Sequence, residues 1–202
     1  MIPDYSPARA LLAAVRRHPN RLSLVDAATG QEWSVREAAD TVARLARAFA
    51  EAGIGEGTRI GVVGANSPWH YIAFVAASWL HAVTVPLSPR MPDSALASMC
   101  AQGGVSWVFH DEASSLTALA LASAGVHRAS FGDLAAWVAR AAPMNTAPAR
   151  CGTELAAILF TSGSTGTPRP VELTHEVMWW GSTNFREGFD YAPTSSVVGV
   201  CA

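Results

Sequence analysis

The chain has 202 residues, of which 50% are hydrophobic and 15% charged, and its formal net charge is −2. That balance excludes the basic excess of a nucleic-acid binder, and the apolar content excludes a disordered chain. Three cysteines without close spacing, Cys100, Cys151 and Cys201, exclude a disulfide scaffold and a cysteine zinc motif. All 14 basic residues are arginine; there is no lysine.

Residues Met1–Ala10 carry Pro3, Asp4 and Pro7 and no long apolar run, so no secretory signal is expected. The most apolar stretch, Ile72–Leu87, contains His81 and Pro86. It falls short of the ~18 residues of a membrane span, so no transmembrane segment is expected. Free thiols without a signal predict a cytoplasmic protein.

Arg21–Trp33 reads as a hairpin turning at Ala28-Thr29-Gly30. Ser34 and Glu37 form a capping box for a helix carrying Val35, Ala38, Val42, Leu45 and Phe49 at helical spacing, and Gly53 stops it. Arg59–Val63 is a strand. Ser67 is an N-cap before Pro68, and Trp69–Ala82 is apolar all round, which predicts a helix covered on several sides. Strands at Ala82–Pro86, Val105–Phe109 and Val126–Ser130 then alternate with helices at Pro92–Gln102, Ala113–Ala124 and Gly132–Ala142. Such alternation predicts an α/β fold, a mostly parallel sheet flanked by helices. Pro143–Glu154 is polar and Pro/Gly-punctuated, so it reads as a linker. It divides the chain into a first α/β subdomain over 1–142, a linker over 143–154, and the start of a second subdomain over 155–202.

After the linker, the apolar run Leu155–Phe160 opens into Thr161-Ser162-Gly163-Ser164-Thr165-Gly166-Thr167-Pro168-Arg169. Val171–Leu173 resumes a strand, and Thr174 can cap a helix through Trp179 and Trp180. The loop has the makings of a phosphate cradle. Gly163 and Gly166 permit close backbone approach, and successive amides can converge on an anion. The hydroxyls of Ser162, Ser164, Thr165 and Thr167 can donate to phosphate oxygens. Arg169 adds a full charge, whose attraction to a phosphate oxygen at ~4 Å is about 4 kcal/mol at an effective dielectric of about 20, before desolvation. On composition alone, a polar turn between two strands is an equal reading. The Walker spacing fails, since its lysine is missing and Pro168 stands where a glycine is needed.

The loop resembles the signature of the adenylate-forming superfamily: acyl-CoA synthetases, adenylation domains of peptide synthetases and luciferases. Upstream segments agree in order. Gln31–Ser34 is similar to the family's "xxTYxEL" entry and Gly53–Val62 to its "GVxxGDRVAI" element. Asn66-Ser67-Pro68 and Val83–Pro89 resemble "NSPE" and "vvVPLNP". The resemblance covers nearly the whole chain. It implies the front portion of the large N-terminal domain of an acyl-CoA synthetase-like enzyme. Such enzymes activate a carboxylic acid with ATP and Mg²⁺ as an acyl-adenylate, releasing pyrophosphate, and commonly transfer the acyl group to CoA. By the same resemblance, Thr161 to Arg169 hold the β- and γ-phosphates.

Two positions depart from the family's motif. Arg169 replaces the usual lysine, keeping the charge and offering a fork. Pro170 replaces the usual glycine, removing a donor and stiffening the loop exit. The family's Tyr-Gly-x-Thr-Glu stretch, Thr-Gly-Asp contact, hinge and C-terminal lysine do not occur here. The expectation is therefore a portion that is inactive alone and associates with itself or a completing chain through an uncovered sheet edge. The alternative is a non-catalytic nucleotide-binding remnant or interaction subunit. A phosphotransferase is disfavoured by the failed Walker spacing.

The six histidines show no metal-ligand spacing and read as surface or partly buried side chains, with His175 set apart by its place just after Thr174. Trp179-Trp180 reads as a core-plus-rim pair ahead of an acyl tunnel lining, and Cys100 as core.

Overall fold

Helix starts in this chain are set by side-chain caps on local sequence. In the computed structural model, which describes residues 4–122, 125–149, 151–161 and 168–188, α1 (Pro7–Arg17) begins where Ser6 Oγ accepts from the Arg9 amide at 3.4 Å. α2 (Val35–Glu51) begins with the expected capping box: Ser34 Oγ accepts from the Glu37 amide at 3.2 Å, and Glu37 Oε2 from the Ser34 amide at 2.8 Å. Glu37 Oε2 also accepts from the Ser34 hydroxyl at 2.6 Å, and the hydroxyl and amide of Ser34 together hold the Glu37 carboxyl below the ordinary carboxylate range. α3 (Pro68–Trp79) starts with Ser67 Oγ accepting from Trp69 and Pro68 in the first turn. α1 was not foreseen, although Ser6-Pro7 repeats the Ser67-Pro68 signal.

β1 (Leu22–Val25) and β2 (Glu32–Ser34) form the expected antiparallel ribbon. The main sheet has six strands: β3 (Arg59–Val63), β4 (Val83–Leu87), β5 (Trp107–His110), β6 (His127–Ser130), β7 (Leu155–Thr161) and β8 (Arg169–Thr174). Their order is β6-β5-β3-β4-β7-β8, with all neighbours parallel except β7 and β8. α4 (Asp93–Gly103), α5 (Ser115–Ala122), α6 (Phe131–Arg140) and α7 (His175–Gly188) complete the described elements. α5 is preceded by a 3₁₀ turn at Glu112–Ser114, which shortens the helix expected over 113–124. α6 carries a second capping box, Ser130 with Asp133, that the sequence reading passed over.

Period-two alternation divides the strand side chains between two cores. Ile60, Val62 and Phe109 join α1, α2, α3 and α6 on one face. Val63, Val85 and Val108 join Leu96, Met99 and Cys100 of α4 and Leu121 of α5 on the other. Burial on both faces is why the parallel strands read as continuous apolar runs. α3 is the most enclosed helix, as its all-round apolarity predicts: Ile72, Ala73, Val75, Ala76 and Ala77 are fully buried.

The segment read as a linker lies along α2 and α3 as a strap. The Met144 amide donates to Ala43 O at 3.0 Å and the Ala149 amide to Trp79 O at 3.2 Å. Cys151 O accepts from the Tyr5 amide at 2.7 Å. The strap then delivers β7 beside β4 in the same sheet.

Candidate phosphate-binding hairpin

β7 is anchored at its start and open at its end. Ala156, Ala157 and Ile158 are buried, whereas Leu159 and Thr161 are exposed. β8 returns antiparallel along the sheet edge, with Leu159 opposite Val171, Phe160 opposite Pro170 and Thr161 opposite Arg169. Pro170 therefore sits in an edge strand, the setting that tolerates a missing amide. Thr161 and Arg169 close the ladder as cross-strand partners, so a hydroxyl and a guanidinium flank the mouth of the connecting loop. Arg169 is exposed and makes no ion pair with any described residue.

Of the nine residues expected to hold phosphate, the structure places Thr161, Pro168 and Arg169 together. Ser162, Gly163, Ser164, Thr165, Gly166 and Thr167 lie outside the described residues. Among the described residues, no group of three or more His, Cys, Asp or Glu could hold a metal ion.

The opposite end of the hairpin is fastened by polar groups. Thr174 Oγ1 accepts from the Val177 amide at 3.2 Å and caps α7, as expected. The His175 amide donates to Glu154 O and the Glu176 amide to Gly152 O, tying the helix start to the strap. His175 is 2% exposed, and its Nε2 has no partner among the described residues. His81, held at a positive φ of 55°, has a buried Nδ1 in the same condition. Burial pushes the His175 imidazole below its ordinary value; charge on His81 pushes the same way and the Glu154 carboxylate opposes. The Gly152 amide and other backbone hydrogen bonding hold the Glu154 carboxyl low. β8 has six residues, so at ~3.4 Å per residue this cluster lies about 17 Å from Arg169. His175 is thus a buried support of the hairpin base, remote from the loop.

These shifts give an acid-sensitive stability. Half-buried His70, chiefly through burial, and His175 both lie below the ordinary 6.5. The unfolded chain therefore takes up these protons first, and stability falls as pH drops below about 6.5. A second loss follows at lower pH, as the depressed carboxyls of Asp111, Asp133 and Glu154 are protonated. The urea midpoint is expected to stay level from about pH 8 to 7 and to fall by about pH 5, with a smaller fall in His175→Leu. A midpoint unchanged between about pH 7 and 5 would contradict the neutral, buried imidazoles.

A second polar feature closes the carboxyl ends of β3 and β5, where the chain leaves for opposite faces of the sheet. Asp111 Oδ2 accepts from the Ala65 amide and Oδ1 from the Ser114 amide, both at 2.8 Å. Partial burial pushes this carboxyl up, but the hydrogen bonds outweigh it and the net shift is downward. Sequence reasoning missed Asp111. Both of its oxygens are spent on the chain's own amides, so it is a tie across the switch point.

Trp179 and Trp180 correct the core-plus-rim expectation: they are 39% and 51% exposed. Their rings lie 5.9 and 6.4 Å from that of Tyr5, and Val177 on the same helix is also exposed. Large aromatics here cover an N-terminal tyrosine rather than fill a core. Cys100 is core as expected, and burial raises its thiol to about 11.

A mostly parallel sheet with helices on both faces, ending in a Ser/Thr/Gly hairpin, is the architecture of the N-terminal domains of adenylate-forming enzymes. The N-terminal domain of FACL13 from Mycobacterium tuberculosis superposes with a TM-score of 0.79 at 23% identity, over 87% of this chain and 45% of that one. The profile of the AMP-binding enzyme family matches residues 11–201, and the chain belongs to that family. A feruloyl-CoA synthase of Amycolatopsis sp is 31% identical over 156 residues, 77% of this chain and 31% of that protein. A hybrid PKS-NRPS synthetase of Thermothelomyces thermophilus is 31% identical over 183 residues, 86% of this chain and 4% of that protein. The chain therefore spans about a third of the synthase and a small fraction of the hybrid synthetase. Among the described residues, no helix is long and apolar enough to cross a membrane.

Proposed function

We propose that this chain is the front portion of an ATP-dependent carboxylate ligase, and that its β7–β8 hairpin grips the β- and γ-phosphates of ATP. The supporting observation is the pairing of Thr161 with Arg169 at the open end of the hairpin. It sets a planar cation and a hydroxyl on either side of the signature loop, where Ser162 to Thr167 supply the remaining donors. The chemistry asked of these residues is positioning and charge stabilisation: the polyphosphate is held still while a carboxylate attacks the α-phosphorus. Pyrophosphate leaves and the acyl-adenylate remains. The similarity to a feruloyl-CoA synthase supports CoA as the acceptor of the acyl group. Bound with the nucleotide, Mg²⁺ would supply charge screening of the polyphosphate; no described residue is assigned to it. The division into a unit over 1–142 and a second beginning at 155, and a cytoplasmic setting, belong to the same reading.

Alone, the chain is not expected to turn over: in the enzymes it resembles a lysine stabilises the adenylation transition state, and this chain contains none. The edge hairpin, with Leu159 of β7 and Val171 of β8 each 40% exposed, favours association with a completing chain or another copy. Detectable ATP–pyrophosphate exchange by the purified chain would overturn the inactivity.

The grip itself is tested at Arg169. A guanidinium–phosphate pair is charge-assisted and often bidentate, so Arg169→Ala is expected to weaken ATP·Mg binding by about tenfold, and Arg169→Lys by less. Isothermal titration measures both. Unchanged affinity in Arg169→Ala would remove the cradle from the proposal.

A further inference from the structure

A second site lies away from the hairpin's open end. A cavity of about 590 Å³ opens between α1, α2, the end of α3 and the strap at 144–148. Its size falls in the range of small-molecule sites, about 300–1,000 Å³. Leu12, Val15, Ala43 and Met144 supply apolar walls.

Its charge is lopsided. Arg9, Arg16 and Arg36 line it against one carboxylate, Asp40. Arg9 is already engaged, by Asp4 at 2.6 Å and Pro148 O at 3.1 Å, and Asp40 pairs with Arg44 at 2.7 Å. Arg16 and Arg36 are exposed and their side chains have no partner among the described residues. Trp79, at 5% exposure, also lines the cavity, and its indole N–H has no acceptor among the described residues. A buried donor left unmade is costly, and indole can only donate. Two unneutralised guanidiniums beside an apolar wall suit one ligand chemistry: a single anionic head on an aryl or alkyl body.

We propose that this cavity binds a small amphipathic organic anion, a monocarboxylate with an aryl or alkyl body. Its head pairs with Arg16 and Arg36, and its body packs against α1, α2 and the strap. The site is separate from the acid-activating centre proposed above. It uses no residue of the 161–169 segment, and it stands or falls independently of that reading.

The probe is 4-phenylbutyrate, titrated into the intact chain by calorimetry and followed in the indole region of the ¹H–¹⁵N spectrum. Saturable binding is expected with a dissociation constant of about 1 mM, as the size of the ligand allows. The neutral 4-phenylbutanol is expected to bind about tenfold more weakly, and so is the acid to Arg16→Gln/Arg36→Gln. Both side chains are exposed, and the alcohol comparison decides the role of charge without any variant. One of the seven tryptophan indole resonances is expected to shift with the acid. Arg169→Ala is expected to bind the acid unchanged, which separates this site from the phosphate grip. No saturable binding up to about 10 mM, equal binding of the alcohol, or undiminished binding by the double variant would overturn the proposal.

Discussion

Phe49→Ala is expected to lower stability by about 3–5 kcal/mol. Phe49 is fully buried on α2, and its ring stacks on that of Phe109 with centroids 5.1 Å apart and planes 3° apart. Phe109 meets Trp137 of α6 edge-on at 6.3 Å and Trp107 at 6.0 Å. The substitution removes the ring where α2, β5 and α6 converge, and close packing on every side limits collapse into the gap. Urea denaturation measures the loss. A cycle with Phe109→Ala is expected to show coupling of about 0.5–1.5 kcal/mol from the ring pair. A loss below about 1 kcal/mol for Phe49→Ala would mean that the α2 face is not packed as described.

Gly64→Ala is expected to cost about 2–3 kcal/mol, combining backbone strain with a weakened charge-assisted hydrogen bond. Gly64 follows β3 with a φ of +155°, and a Cβ there would lie 2.9 Å from Asp111 Cγ and 3.0 Å from Oδ2. The carboxylate must move, and moving it releases the Ala65 amide on one side and the Ser114 amide on the other. Asp111→Ala, which makes room but abandons both amides, is expected to be comparably destabilising. Near-neutral effects from both variants would show that the tie between the ends of β3 and β5 carries no stability.

The features legible in the sequence are those whose physics is local. The box at Ser34 and Glu37, the Ser67-Pro68 start and the apolar runs of β3, β4, β5 and β7 each depend on residues a few positions apart, so they could be read directly. α1 is equally local, carried by Ser6-Pro7 and by Ala8, Leu11, Leu12 and Val15 on one face. Strand order was not legible: β3 lies between β4 and β5, a consequence of pairing energies between distant segments. The same applies to the tie of Asp111 to Ala65 and to the His81–His175–Glu154 cluster, assembled from α3's end, the strap and α7. Trp179 and Trp180 misled because aromatic residues are ordinarily buried for area, whereas these are spread over Tyr5. At the hairpin, the sequence supplied the chemistry of the loop; the structure added the registration of Thr161 with Arg169 that places a charge at its mouth.

Amide hydrogen exchange over residues 161–169, with and without saturating ATP·Mg, tests the phosphate grip most directly. If successive amides of the loop hold the polyphosphate, their exchange slows by about tenfold or more on nucleotide binding, and the slowing is centred on Ser162 to Thr167. Unchanged exchange in that segment, while ATP is bound and protection appears elsewhere in the chain, would contradict it.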